Sequence, residues 1–376
     1  MTEKHISTRL AQIGAHTDPS TGSINTPIYL STAYRHAGLG KSTGYDYTRT
    51  KNPTRFVLEE GIANLEGGDA GFACSSGMAA IQLVLSLFKS GDEIIYADDI
   101  YGGTYRLAGQ YEQQYGIKAH FTSFQSVADV EAIINGNTKA LFIESPTNPL
   151  MLTIEIAQFA DLAKKYNLLL IVDNTFLTPY YQQPIEHGAD IVIHSATKYI
   201  GGHNDVLAGL VVSKGEILSE KLLYNHNASG ATLGPIDCWL LLRGLKTLHV
   251  RMKQHTENAK TIVKYLEQEP LVNDVLYAGL GGMVSFRLQR EEWVAPFLEN
   301  LQLIAYAESL GGVESFITYP ATQTHADIPE EERIARGVDN TLLRFSVGIE
   351  EAEDIIADLK QVFATITEEV TTYDAK

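Results

Sequence analysis

The sequence predicts an α/β protein: a mostly parallel sheet covered by helices on both faces, followed by a smaller α+β lobe. Three observations carry this. From about residue 54 to 245, helical periodicity alternates with short unbroken aliphatic runs, as in strands buried on both faces. Near 245 that alternation stops, and a long helical pattern is followed by strands of alternating polarity. The chain has 376 residues, 44% of them apolar, which is enough for two or three lobes with cores of their own.

Residues 1–50 read as an arm rich in turns and polar side chains, with "GLGKSTGYDYTRTKNPTR" as an exposed segment bearing tyrosines and arginines. In the following region, 51–245, "MAAIQLVLSLFKSG" reads as a helix ending at Gly91, and "DEIIYA" and "KALFIES" as strands. "IAQFADLAKKYN" is an amphipathic helix, and "LLLIVDN", "ADIVIHS" and "VLAGLVVS" are further strands. In 246–376, the long helix "TLHVRMKQHTENAKTIVKYLEQE" precedes the strand "MVSFRLQ", and the charged amphipathic helix "EEAEDIIADLKQVFATI" closes the chain. There are no repeats or low-complexity segments.

Composition excludes some functions. Twenty-nine Lys and Arg against 46 Asp and Glu give a formal charge of −17, which argues against non-specific binding to nucleic acid or anionic membranes. Two cysteines, Cys74 and Cys238, cannot build a disulfide framework or a CxxC metal clamp, and they fit a reducing cytoplasm. "MTEKHISTRLAQIGAH" lacks the apolar stretch of a signal peptide, and the longest apolar runs, such as "LLLIV", are too short to span a bilayer.

Four motifs sit at strand ends. In "FACSSGMAAI" a strand runs into a Ser-Ser-Gly turn that opens a helix. Exposed N–H groups there, with close approach at Gly77, can cradle a phosphate; the same residues also make an ordinary serine N-cap. In "VDNTF" an aliphatic strand delivers Asp173 to its C-terminal end, where ligands bind in open α/β sheets. An Asp there can pair with a cationic ring nitrogen and keep it protonated, or it can simply cap the next turn. In "HSATKYIGGHN", Lys198 follows the next strand, flanked by Ser195 and Thr197. Its amine can form an imine with an aldehyde, although a lone lysine is ordinarily a surface charge. In "DDIYGGTYRL", Tyr101 can stack on a planar heterocycle or belong to the core.

Two further residues bear on a substrate. Asn148, in "ESPTNPL", can hydrogen-bond a ligand oxygen or organise its own turn. Arg344, mid-strand in "NTLLRFSVGIE", needs an anionic partner when buried. That partner is either an amino-acid carboxylate gripped bidentately or an internal Asp or Glu. A dinucleotide site is disfavoured, because "GLGGMV" lacks the third glycine and runs into a strand. A metal centre is disfavoured because His194 and His203 have no partner at ligand spacing.

At these residues the chain resembles the cysteine/methionine-metabolism family of fold-type-I pyridoxal-phosphate enzymes. "DIVIHSATKYIGGHN" fits its lysine signature, and "YTRTKNPT", "SSGMAAI", "DIYGGTYR", "ESPTNP", "VDNTF", "GLKTL", "SLGGVES" and "LLRFSVGIE" match family blocks in order. The resemblance covers essentially the whole chain. It implies an aspartate aminotransferase-like large domain and pyridoxal 5'-phosphate as cofactor, with no metal. Lys198 resembles the Schiff-base lysine and proton shuttle, Asp173 the acid on the pyridine nitrogen, and Tyr101 the stacking tyrosine and an alternative base. Gly77, Met78, Ser195 and Thr197 match phosphate contacts. Tyr47 and Arg49 match arm residues that reach a neighbouring subunit's phosphate, which implies shared active sites in a homotetramer built as a dimer of dimers. Arg344 matches the α-carboxylate clamp, Asn148 and Ser315 polar residues near the cofactor, and Arg106 and Glu314 contacts to the distal part of the substrate.

Members of this family carry out β-elimination, γ-elimination or γ-replacement with the same residues. Glu314 in "GGVES" resembles the γ-acting members, and "GGTYRLAGQYEQQYG" lacks the cysteine of methionine γ-lyases. "QIGAHTD", "PIYLSTAYRH" and "FITYPATQTHADIPEE" look most like γ-synthases of Gram-positive bacteria that also accept sulfide. The resemblance therefore implies condensation of an O-acylhomoserine with cysteine to give cystathionine, in methionine biosynthesis, with sulfhydrylation as a side activity. Cystathionine γ-lyase and β-lyase activities are the alternatives, and a non-catalytic pyridoxal-phosphate-binding protein is the reading from another class.

Overall fold

A computed structural model describes residues 4–326 and 328–374, with the backbone alone for 369–374. The first three residues of "MTEKHISTRLAQIGAH" and Asp327 of "FITYPATQTHADIPEE" lie outside the described residues. The chain forms two compact units. The first runs up to Ala97 and includes Leu107–Ile143 and Glu155–His249; the second comprises Asp98–Arg106, Glu144–Ile154 and everything from Val250 onward. The sequence placed 51–245 in one domain. Two short segments of that region, following the strands "DEIIYA" and "KALFIES", instead group with the C-terminal part of the chain.

The first unit is organised by a seven-stranded sheet. Its strands are β1 (Ala70–Cys74), β2 (Glu93–Ala97), β3 (Lys118–Thr122), β4 (Thr138–Glu144), β5 (Leu169–Asp173), β6 (Ile191–Ser195) and β7 (Gly209–Ser213), in the order β1-β7-β6-β5-β4-β2-β3. Strands β2, β3 and β4 pair in parallel, as do β5 and β6. β7 runs antiparallel to both β1 and β6. Consequently β1 and β6 point the same way, and their C-terminal ends open on one edge of the sheet. All five residues of β2 and of β7 are buried, as expected where helices cover both faces.

The helix Pro53–Glu66 starts where the sequence signals it: Asn52 caps the Thr54 and Arg55 N–H groups, and proline occupies the first position, where no N–H is missed. The helix Ile156–Tyr166 stops at Asn167, which adopts a left-handed conformation at φ 53°. Three helix limits differ from the sequence reading: the closing helix runs on past Ile366 to Asp374, and two others differ as follows. Gly77–Leu85 ends at Ser86 rather than at Gly91: the Ser86 hydroxyl bonds back to the Leu83 carbonyl at 2.6 Å, and tighter turns follow at Leu87 and Phe88. The long helix begins at Pro235, well before Thr247, and runs to Leu266.

The second unit is built on a five-stranded sheet of β8 (Val272–Tyr277), β9 (Met283–Leu288), β10 (Ala305–Tyr306), β11 (Phe316–Thr318) and β12 (Leu342–Ser346), in the order β10-β11-β12-β9-β8. β12, the central strand, is antiparallel to both of its neighbours. A core of Phe286, Phe297, Leu343, Phe345, Leu359 and Phe363 packs the sheet against the closing helix Ala352–Asp374. Among the described residues no helix is long and apolar enough to cross a membrane.

Candidate active site

In the first unit the predicted residues collect where β1, β5 and β6 end. Ser76 caps the helix Gly77–Leu85 by accepting from the Ala79 N–H at 3.0 Å. The Gly77 and Met78 N–H groups lie in the first turn, outside the helix's own ladder, where an anion is favoured. Gly77 lies against Ser195: a Cβ at 77 would sit 3.0 Å from both Ser195 Cβ and Oγ. The absence of a side chain therefore keeps a serine hydroxyl beside an open helix N-terminus, which fits a phosphate. The antiparallel return of β7 contributes to this edge, because Gly209 packs on Ser76 so closely that a Cβ would come within 2.1 Å of the Ser76 carbonyl oxygen.

Asp173, 8% exposed, ends β5. Its Oδ1 accepts from the Thr175 N–H at 3.0 Å and from the Thr175 hydroxyl at 2.6 Å. Thr175 Oγ1 in turn accepts the Ser195 N–H at 2.8 Å. Burial holds the Asp173 carboxyl above its usual range, while the bonds from Thr175 and the nearby His194 pull the other way. A carboxyl so desolvated is suited to a cationic partner, as the ring nitrogen of a bound pyridoxal phosphate would be.

Lys198 is half-buried in the turn after β6. Its N–H donates to the Ser195 carbonyl at 3.2 Å and its carbonyl accepts from Gly202 N–H at 2.8 Å. Thr197 is engaged within the same connection: its hydroxyl donates to the Ala208 carbonyl at 3.2 Å and accepts the Ala208 N–H at 3.0 Å. Tyr47 and Arg49 are exposed. Arg49 donates to the Asn227 carbonyl and to Asn227 Oδ1, and its guanidinium lies 5.7 Å from the centre of the Tyr47 ring.

The second unit holds the remaining predicted residues. Arg344, 2% exposed on β12, donates to Asn148 Oδ1 at 3.0 Å, to Thr318 Oγ1 at 3.1 Å and to the Ser309 carbonyl at 3.3 Å. Those three acceptors are neutral oxygens. Ser315 is buried and tied to Glu350: its N–H donates to Oε1 at 2.7 Å, its hydroxyl to Oε2 at 3.0 Å, and it accepts the Gly348 N–H at 2.9 Å. Glu314 beside it is exposed, as is Arg106. The Tyr101 N–H donates to buried Glu144 at 3.0 Å. Burial pushes the Tyr101 phenol up, with Glu308 adding to it and Arg106 and Arg344 opposing it.

Sequence reasoning missed Thr175, Glu144, Thr318 and the buried partner of His194. Thr175 carries a local signal, since a threonine two residues after an Asp commonly bonds it in a turn. The others do not. His194 Nε2 sits 2.7 Å from Glu66 Oε1, both side chains being fully buried, and Asn174 donates to the same oxygen at 3.0 Å. Among the described residues no group of three or more His, Cys, Asp and Glu could hold a metal ion.

Residues 7–364 match the model of the Cys/Met metabolism PLP-dependent enzyme family. The chain is 59% identical over 371 residues to a cystathionine gamma-synthase/O-acetylhomoserine (thiol)-lyase of Bacillus subtilis, covering 99% of this chain and 100% of that protein. It is 59% identical over 368 residues to a cystathionine gamma-synthase of Haemophilus influenzae, covering 97% and 100%. A crystal structure of cystathionine gamma synthase from Xanthomonas oryzae pv. oryzae, in complex with aminoacrylate and cysteine, superposes with a TM-score of 0.94 at 39% identity, over 98% of this chain and 100% of that one.

Proposed function

The chain belongs to the Cys/Met metabolism PLP-dependent enzymes and uses pyridoxal 5'-phosphate, and from that premise we propose that it catalyses γ-replacement, joining an O-acylhomoserine to cysteine to give cystathionine. The observation that carries this reading is the 59% identity, over essentially the full length, to two proteins named for γ-synthesis. Sulfide in place of cysteine is a side activity suggested by the second half of the Bacillus protein's name.

When bound, pyridoxal 5'-phosphate supplies an aldehyde for covalent attachment of amines and a protonated ring that draws electrons from the substrate's Cα, so that its C–H becomes acidic. The Gly77 and Met78 N–H groups and the Ser195 hydroxyl would hold its phosphate, with Thr197 fixing the turn beside them. Asp173 would balance a positive ring nitrogen, and Tyr101 would offer an aromatic face to the ring. Lys198 would supply the amine for the aldehyde and a group that moves protons at the substrate's Cα and Cβ. Arg344 binds the α-carboxylate, oriented by Asn148, while Ser315 fixes the adjoining turn. Arg106 and Glu314, both exposed, meet the distal end of the substrate. At Cγ a C–O bond breaks and an S–C bond forms; the acyl group leaves as a carboxylate, and the thiol proton is released. Tyr47 and Arg49 are exposed in a single chain, which suits them to reaching the phosphate of a neighbouring copy in a homotetramer. A cytoplasmic location accords with two buried free cysteines.

Product analysis tests the reading. O-acylhomoserine and cysteine should give cystathionine. Rapid release of α-ketobutyrate and cysteine from cystathionine, or of pyruvate and homocysteine, with no net synthesis, would replace it with a γ-lyase or a β-lyase. A protein that binds the cofactor but turns over none of these substrates would be the non-catalytic alternative.

A further inference from the structure

One buried acid in the first unit has no part in the proposed chemistry, yet it joins the two strand ends that carry it. Glu66 is 0% exposed and is the last residue of the helix Pro53–Glu66. Its Oε1 accepts from Asn174 Nδ2 at 3.0 Å and lies 2.7 Å from Nε2 of His194, which is also fully buried. Asn174 directly follows Asp173 at the end of β5, and His194 directly precedes Ser195 at the end of β6. The two strands pair in parallel, and the Asn174 N–H closes their junction on the Ile193 carbonyl at 2.9 Å.

This is an unfavourable place for a carboxyl. The C-terminus of a helix repels negative charge, and burial costs an acid its hydration. Apolar residues of the same volume often match a buried polar pair in stability. What the carboxyl supplies is direction. Asn174 has its whole amide engaged: Nδ2 donates to Glu66 and to the Gln182 carbonyl at 2.8 Å, and Oδ1 accepts from Gln182 Nε2 at 3.0 Å. Turned over, that amide would set oxygen against oxygen at both Glu66 and Gln182. His194 donates from Nε2 to the same oxygen that takes the Asn174 N–H. Glu66 Oε2 has no hydrogen-bond partner among the described residues, so a single atom, Oε1, sets both directions. A second tie joins the same strand ends: Thr175 Oγ1 takes the Ser195 N–H at 2.8 Å and donates to Asp173 at 2.6 Å.

We propose that Glu66 is a positioning residue for the cofactor: through Asn174 and His194 it fixes the separation between Asp173, at the ring nitrogen, and the turn Ser195–Lys198, at the phosphate and the aldehyde. This rests on reading those residues as the pyridoxal-phosphate site. A ligand gripped at both ends binds more tightly when the distance between its contacts is set beforehand, and reacts more slowly when they drift.

The experiment reconstitutes apoenzyme with pyridoxal 5'-phosphate, reads the dissociation constant from absorbance, and measures kcat and KM at saturating cofactor. Glu66→Ala should weaken cofactor binding about tenfold and lower kcat about tenfold, with KM within about twofold of wild type. Glu66→Gln keeps an acceptor oxygen in place and should restore most of both. Val130→Ala, fully buried on the helix Val127–Ile133, is the control; it should lower thermal stability and leave cofactor affinity and kcat unchanged. Wild-type affinity and kcat in a folded but less heat-stable Glu66→Ala would mark support of the fold alone and overturn the inference. So would a Glu66→Gln enzyme as impaired as Glu66→Ala, or equal losses in Val130→Ala. If Glu66→Ala does not fold, His194→Leu set against His194→Gln, whose amide can donate in place of Nε2, makes the same comparison. Asp173→Asn tests the underlying reading. Undiminished cofactor affinity and turnover there would refute the cofactor site itself, whereas losses there beside wild-type values in the Glu66 variants would refute only the role of Glu66.

Discussion

Gly244, inside the helix Pro235–Leu266, offers a quantitative test of how Lys198 is held. A Cβ at this position would lie 2.3 Å from the Ile200 carbonyl oxygen and 2.6 Å from that of Gly201, roughly 1 Å short of an ordinary contact. Both atoms are backbone of the turn that carries Lys198, and that turn is closed by the Gly201 N–H on Ala196 and the Gly202 N–H on Lys198. It can yield only by shifting as a unit. Gly244→Ala should therefore cost about 1–3 kcal/mol in overpacking, partly offset by about 1 kcal/mol of helix propensity. The net loss of stability is small, but on the role proposed for Lys198 a displacement of its amine by about 1 Å should lower turnover by about 10- to 100-fold. Steady-state kcat and thermal unfolding, measured together, separate the two effects. Gly109→Ala is the matched control: it also lies in a helix, its Cβ would meet nothing within 4 Å, and it should keep full activity while gaining about 0.5–1 kcal/mol. A Gly244→Ala enzyme with kcat within twofold of wild type would refute the idea that this close approach sets the position of Lys198.

Three further outcomes follow from particular contacts. Asp173→Asn removes the charge but keeps the shape, and turnover should fall about 100-fold, corresponding to about 2–3 kcal/mol for a charge-assisted bond; an active enzyme would exclude Asp173 as the partner of the ring nitrogen. His255, fully buried with Nδ1 2.8 Å from the Val347 carbonyl, is pushed down to about 4 by burial, so the unfolded chain binds this proton first as pH falls. Stability from this group is present above about 6.5 and is lost between there and about 4, a slope worth about 3 kcal/mol in all; urea unfolding across that range should show the slope reduced in His255→Asn, and equal slopes would contradict the assignment. Glu59, raised to about 7 by burial, titrates with the opposite sign, so the difference between variant and wild type is the quantity to compare. Finally, Arg49→Ala and Lys198→Ala proteins, each inactive, should regain partial activity when mixed and allowed to exchange subunits; no recovery after verified exchange would rule out a shared site.

The parts of the fold that the sequence made legible are those governed by local pattern. The aliphatic runs ending in Asp173 and Ser195 are strands β5 and β6, and the Ser76–Gly77 turn opens a helix. The reversed direction of β7 was not legible, because a strand buried on both faces reads the same either way along the chain. Apolar periodicity continued past Ser86, so the helix end was placed too late; only the hydroxyl's bond to Leu83 marks the true stop. The start at Pro235 was missed for the opposite reason: proline reads as a breaker unless it is recognised as a first helical residue. At the candidate site, type and place suggest which residues to propose, whereas the partners they meet in the fold come from afar. Glu66 reaches His194 across 128 positions, and Asn148 reaches Arg344 across 196. No spacing rule links such pairs.

Thr175 has one hydroxyl hydrogen, and its direction decides where a proton can reside on Asp173. Because Oγ1 already accepts from the Ser195 N–H, the hydrogen points to Asp173 Oδ1, and the Thr175 N–H reinforces it. Oδ1 thus faces two donors and has no room for a hydrogen of its own. A proton on the buried carboxyl would therefore reside on Oδ2, along a single bond axis. The lateral hydroxyl of an unassuming threonine therefore makes Asp173 one-sided, with only one oxygen open to proton exchange.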